Sequence, residues 1–142
     1  MAGPALEDAI LLAVRAHRGQ KDKGGHPYVL HPLRLMLRLA GGHERMAAVL
    51  HDVAEDAGVT LGDLRRKGYP RAVARAVDLL TRREGEAYEA FIRRLKPDPV
   101  ARAVKLADLR DNMDLGRIPH PGPRDHERLK RYRKALKELR TG

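Results

Sequence analysis

With 142 residues and a mass of 15.9 kDa, the chain is long enough to bury one continuous core without disulfides or a structural metal. It contains no cysteine and no serine, which excludes disulfide frameworks, thiolate metal sites and thiol or serine nucleophiles; only Thr60, Thr81 and Thr141 could supply an alcohol nucleophile, and none adjoins an obvious base. A formal charge of +10, from 29 Lys and Arg against 19 Asp and Glu, points to anionic partners, and neither a signal-like N-terminus nor an apolar run of membrane-spanning length is present, so a cytoplasmic protein is expected.

Apolar residues recur at spacings of three and four, and no stretch alternates cleanly between polar and apolar. The expectation is an all-α single domain over residues 1–142, a bundle of about eight helices with its core in residues 5–115 and a C-terminal amphipathic helix near 123–140. The first helix is read at Leu6 to Arg18, followed by a polar loop with Gly24 and Gly25. The second spans about Pro27 to Ala40, with Gly41-Gly42 as a C-terminal glycine stop. Glu44 to Asp56 forms the third. Thr60 and Asp63 form a shortened capping box for a fourth helix that ends at Lys67-Gly68. Pro70 opens a fifth helix to about Arg82, Glu86 to Leu95 is the sixth, and Pro99 to about Leu115 is the seventh, before a Gly- and Pro-rich loop at 116–123. The last helix carries eight basic against three acidic residues between Arg124 and Arg140; its basic face is read as solvated surface rather than a nucleic-acid contact.

The third helix concentrates possible ligands. His51, Asp52, Glu55 and Asp56 fall within six residues, Glu55 one turn from His51 and Asp56 one turn from Asp52. A helical wheel sets Met46, Val49, Leu50 and Val53 on one side and the polar groups on the other, and from this helix alone that arc is either a water-facing surface or half of a metal site. The seventh helix favours the metal. Asp108 lies beside Val104 and Ala107 at the margin of an apolar seam, and a carboxylate so placed needs a cation or donors. Lys105 or Arg110 could serve structurally. Asn112, the only asparagine, stands one turn on. His31 sits at a helix start after a glycine-rich loop, whereas His17, His26, His43, His120 and His126 are read as structural.

Ala16-His17-Arg18-Gly19-Gln20, Pro27-Tyr28, His31-Pro32, Leu50-His51-Asp52 with Glu55-Asp56, and Lys105 to Asp108 with Asn112-Met113 together resemble the hydrolase domain of the RelA/SpoT family, within the HD-domain metal-dependent phosphohydrolases. The match spans roughly residues 9 to 115. The resemblance implies an all-helical fold and one divalent cation, manganese first, with iron, zinc or magnesium as alternatives, held by His31, His51, Asp52 and Asp108. Two imidazoles and two carboxylates without thiolate also suit such an ion chemically. By the same resemblance Glu55 and Asp56 position or deprotonate the attacking water, and Lys23, Lys105 and Asn112 contact phosphates or the nucleotide. The implied activity is hydrolysis of a phosphate or pyrophosphate ester, most specifically of guanosine 3′,5′-bis(diphosphate). The alternatives are another nucleotide substrate or a non-catalytic basic module that binds nucleotide or nucleic acid. Asp22 stands where relatives usually carry a basic residue. The usual Arg-Leu-His-Asn-Met-Arg-Thr after the metal aspartate is replaced by Leu109-Arg110-Asp111-Asn112-Met113-Asp114-Leu115.

Overall fold

The computed structural model describes residues 3–56 and 58–141, apart from the side chains of Glu55 and Asp56. Its helices are α1 (Leu6–His17), α2 (Leu30–Arg38), α3 (Gly42–Asp56), α4 (Leu61–Arg66), α5 (Arg71–Leu79), α6 (Tyr88–Leu95), α7 (Pro99–Asn112) and α8 (Pro123–Arg140), with a single 3-10 turn at Leu115–Arg117. Among the described residues there is no strand, only an isolated bridge between Lys21 and Pro27. The all-α expectation is met.

The central element is α3, which packs against α1, α2, α5 and α7. Ala47, Ala48, Val49, Leu50 and Val53 are all fully buried, so this helix is covered on more than the one face that the wheel marked as apolar. Two consecutive alanines let neighbouring backbones approach closely. Each Leu or Val withdrawn from water contributes about 1.5–3 kcal/mol, which makes α3 the anchor of the core. The same encirclement buries His51, 7% exposed, and half-buries Asp52, so these two polar residues do not stand on a solvent face.

Helix ends depart from the sequence reading where side chains or turns capture backbone groups. Residues 20–28 form a clip rather than a loose loop: the Tyr28 amide donates to the Gln20 carbonyl and the Asp22 amide to the His26 carbonyl, both at 2.8 Å. Gly25, at φ 82°, makes the reversal. Turns at Pro27 and Tyr28 then delay α2 to Leu30. Its far end is also different. Leu39 is extended and neither Gly41 nor Gly42 has positive φ, so no glycine stop forms; Gly42 instead begins α3. The capping box of α4 is present, Asp63 N donating to Thr60 Oγ1 at 3.1 Å and Thr60 N to Asp63 Oδ2 at 2.8 Å. On α7, Asp98 accepts from the Ala101 amide at 2.9 Å and Pro99 occupies the first turn, which sets the start of the helix that carries Asp108. That helix stops at Asn112 because Asp114 accepts from the Gly116 amide and closes a tighter turn.

Candidate metal centre

Three helices bring the site together: α2 supplies His31, α3 supplies His51 and Asp52, and α7 supplies Asp108. His31 Nε2 lies 2.9 Å from Asp108 Oδ1 and 3.9 Å from Asp52 Oδ2, and His51 Nε2 lies 3.2 Å from Asp52 Oδ1. Ligand atoms of His31, His51 and Asp52 all fall within 4.8 Å of one another, a group that could hold a metal ion, and Asp108 joins it through His31. Around a cation at about 2.1 Å from each ligand, adjacent ligand atoms in octahedral geometry stand about 3.0 Å apart and opposite ones about 4.2 Å apart. The separations of 2.9, 3.2 and 3.9 Å lie close to those values. The donor set therefore fits a divalent ion of the nitrogen- and oxygen-binding kind.

Each of these side chains is oriented by a further partner. His51 donates from Nδ1 to the Ala48 carbonyl at 2.7 Å, which fixes its tautomer and leaves the Nε2 lone pair facing the group. Tyr28 donates its hydroxyl to Asp52 Oδ2 at 2.6 Å. Lys105 donates to Asp108 Oδ2 at 2.8 Å and Asn112 to Oδ1 at 3.0 Å. Lys105 is thus the cation that Asp108 requires, while Arg110 is exposed. Its ammonium lies against the faces of Phe91 (5.3 Å) and Tyr88 (5.8 Å), behind Asp108 rather than in the cavity lining.

Asp111 escaped the sequence reading. It is 1% exposed and accepts from His31 Nδ1 at 2.6 Å, from Arg34 Nε at 2.8 Å and from Arg34 Nη2 at 3.0 Å, with Arg117 Nη2 at 3.3 Å. The signal was a repeated offset: Arg34 follows His31 by three on α2, and Asp111 follows Asp108 by three on α7. Two helices facing each other in register match both pairs. Burial would lower the basicity of His31, but hydrogen bonds to Asp108 and Asp111, with the charges of Asp108 and Asp52, raise its pKa to about 9. Burial would raise the Asp108 carboxyl, yet Lys105 and the two histidines hold it well below the usual carboxylate range. Asp111 is lowered likewise, against its burial, by His31, Arg34 and Arg117. In this state a proton on His31 Nε2 takes the position between imidazole and carboxylate where a cation would sit.

A cavity of about 400 Å³ opens over the group. His31, Asp52 and Asp108 form part of its lining, and Lys21, Lys23, Arg34, Arg117 and Arg128 supply its cations. Lys23, with a side chain 52% exposed, pairs with Asp125 at 3.1 Å and so links the residue 20–28 clip to α8. The participation of α8 in this cavity, through Asp125, Arg128 and Tyr132, was also outside the sequence reading, which took the helix as amphipathic with a solvated basic face. Asp22 is engaged by the Gly24 and His26 amides at 2.9 Å each, so it shapes the clip. Glu55 and Asp56, expected to handle water, lie outside the residues whose side chains are described; their backbone is the last turn of α3.

No protein-family model matches the chain. Its architecture is nevertheless one seen before: an all-α fold with a His-Asp group held between three helices. A solved structure of a metazoan ortholog of SpoT, described as hydrolysing ppGpp, superposes with a TM-score of 0.78 over 99% of this chain and 89% of that one, at 23% identity. In sequence the chain is 38% identical over 121 residues to the GTP pyrophosphokinase of Streptomyces coelicolor. It is 32% identical over 120 residues to the guanosine-3′,5′-bis(diphosphate) 3′-pyrophosphohydrolase of Aquifex aeolicus, and 31% over 123 residues to the bifunctional (p)ppGpp synthase/hydrolase SpoT of Escherichia coli. Each match covers 76% of this chain, which spans only 14% to 17% of those relatives' lengths. The chain is a homologue of the RelA/SpoT-type proteins and has the fold of the SpoT hydrolase.

Proposed function

We propose that the chain is a metal-dependent phosphohydrolase acting on a nucleotide phosphate or pyrophosphate ester, with guanosine 3′,5′-bis(diphosphate) as the leading substrate and pyrophosphate release from its 3′ position as the reaction. The observation that carries this is the group of His31, His51 and Asp52, close enough to share an ion, with Asp108 2.9 Å from His31, under a cavity lined with cations. The relatives named as 3′-pyrophosphohydrolases support the substrate.

In this reading His31, His51, Asp52 and Asp108 hold the ion, manganese first. When bound, it polarises a phosphoryl oxygen and acidifies a water. The protein's own part is preorganisation. Ala48 and Asp111 aim the two imidazoles, Tyr28 and Lys105 hold the carboxylates, and Glu55 and Asp56 are assigned the proton of the attacking water. Lys23 and Asn112 reach the cavity where phosphates would lie. Lys105 acts on phosphate only through Asp108. The cavity lining contains five Lys and Arg side chains and five Asp side chains besides His31, so a divalent ion held in place of the His31 proton would add one positive charge and favour anion binding.

Purified protein loaded with Mn²⁺ is expected to release pyrophosphate from guanosine 3′,5′-bis(diphosphate), and His51→Ala and Asp108→Ala to abolish release. Release from a different nucleotide in a panel would move the substrate and keep the chemistry. No phosphate or pyrophosphate release from any nucleotide would sink the enzyme reading.

A further inference from the structure

A second hollow, about 350 Å³, lies between α6 and α8. Tyr88, Ile92 and Ala135 are buried residues along its wall. Around them stand Arg93, Arg131, Lys134 and Lys137, all exposed. A basic helix face on its own is ordinary solvated surface. Three features separate this one from that default.

First, the four cations ring an indentation with apolar and aromatic walls, not a convex face. Second, many neighbouring cations have carboxylate partners within 4.0 Å: Arg83 with Asp78, Arg94 with Glu86, Lys96 with Glu138 and Arg128 with Asp125. Arg93, Arg131, Lys134 and Lys137 have none among the described residues. Of the two acids on the rim, Glu138 is already engaged by Lys96 at 3.5 Å. Third, the Tyr88 hydroxyl is buried with no hydrogen-bond partner, and the Arg131 guanidinium lies 4.7 Å from the centre of its ring. A guanidinium plane beside a tyrosine ring offers a stacking surface for another flat group.

We infer that this hollow is a second ligand site, separate from the metal centre, for an aromatic anion of the nucleoside phosphate class. The aromatic and apolar wall receives the base, while Arg131, Lys134 and their basic neighbours receive the phosphate through charge-assisted hydrogen bonds. The volume lies at the lower end of the range for small-ligand pockets, which favours a mononucleotide over a larger ligand. This assignment does not depend on the metal-centre reading, because it uses no residue of that group.

The test is a titration of metal-free, isotope-labelled protein followed by amide chemical shifts. The probes are adenosine 5′-monophosphate, ribose 5-phosphate and inorganic phosphate. The mononucleotide is expected to give saturable shifts at Tyr88, Ile92 and Ala135, with ribose 5-phosphate and inorganic phosphate about tenfold weaker or more for want of a base to stack. Arg131→Glu combined with Lys134→Glu alters two exposed positions and should remove those shifts while the remaining spectrum stays dispersed. Absence of saturable shifts at α6 and α8 would overturn the inference, as would equal midpoints for the three probes or shifts that survive the double charge reversal. Tighter binding of a single-stranded oligonucleotide at the same residues would overturn the small-molecule assignment. Resonances of Asn112 and Leu115 report the metal-centre cavity separately, so failure of one site is not read as failure of the other.

Discussion

Replacing Asp111 by Asn probes how the centre is held without changing any of the four residues proposed to hold the ion. The wild-type carboxylate is nearly sealed from solvent and joins His31 Nδ1 at 2.6 Å to Arg34 and Arg117. Asn keeps the volume and can still accept from His31 Nδ1, but it removes the charge, and removing one partner of a buried ion pair costs about 3–5 kcal/mol. Part of that cost depends on pH, with a sign that follows from His31. Its pKa is raised in the folded chain from 6.5 to about 9, so its contribution is complete below pH 6.5 and is lost as pH rises through 9. The shift corresponds to a stabilisation on the order of 3 kcal/mol, shared between Asp108 and Asp111. Urea unfolding of metal-free protein should therefore show a loss of about 3 kcal/mol for Asp111→Asn at pH 6 and a smaller loss at pH 9.5, where most of His31 has lost its proton. A penalty under about 1 kcal/mol at pH 6, or one that is the same at both pH values, would refute the role given to Asp111.

Because a metal must displace the proton on His31, Mn²⁺ loading at pH 7 should release about one proton per ion, measured by titration in weak buffer; release near zero would mean that His31 is already neutral. Nucleotide binding to the main cavity should strengthen with the metal, since a divalent ion that replaces the single proton on His31 adds one positive charge to the lining, and equal affinity with and without Mn²⁺ by calorimetry would contradict this. Leu50→Ala on the encircled helix should cost about 2–5 kcal/mol in urea unfolding, far more than a surface truncation. Thr60→Ala removes the cap of α4 and should cost about 1 kcal/mol, and the loss should fall to a few tenths for Thr60→Gly.

How legible the site was depends on whether a residue acts along its own helix or across two. The order of the helices, the capping box at Thr60 and the proline start of α7 are local properties, and local spacing announces them. The α4 and α7 caps rest on contacts within three residues, so the chain need not be folded for them to be read. His51 and Asp52 were harder. Periodicity assigned them to a polar arc, but α1, α2, α5 and α7 together surround α3, and they bury His51 and half-bury Asp52 with partners its own sequence does not show. Asp111 was hardest, because a charge on a helix margin is ordinary until the opposing helix is known. Lying 80 residues from His31 in sequence, it gains its meaning only when α2 and α7 meet in register. The same contact bears on the substitutions that set this chain apart. Buried Asp111 and half-buried Arg34 and Arg117 form one charge cluster, and Asp114 lies 3.5 Å from that same Arg117. The acidic residues after Asp108 are therefore tied to basic residues of this chain and cannot be counted simply as charges facing a phosphate. Arg117, which lines the cavity while joined to both aspartates, is where the internal network and an anionic substrate would compete. Arg117→Lys should separate those roles: it keeps the charge but loses the fork, so it should weaken nucleotide binding less than Arg117→Ala while destabilising the metal-free protein by a similar amount. Equal loss of nucleotide affinity in the two variants would place Arg117 in the scaffold alone.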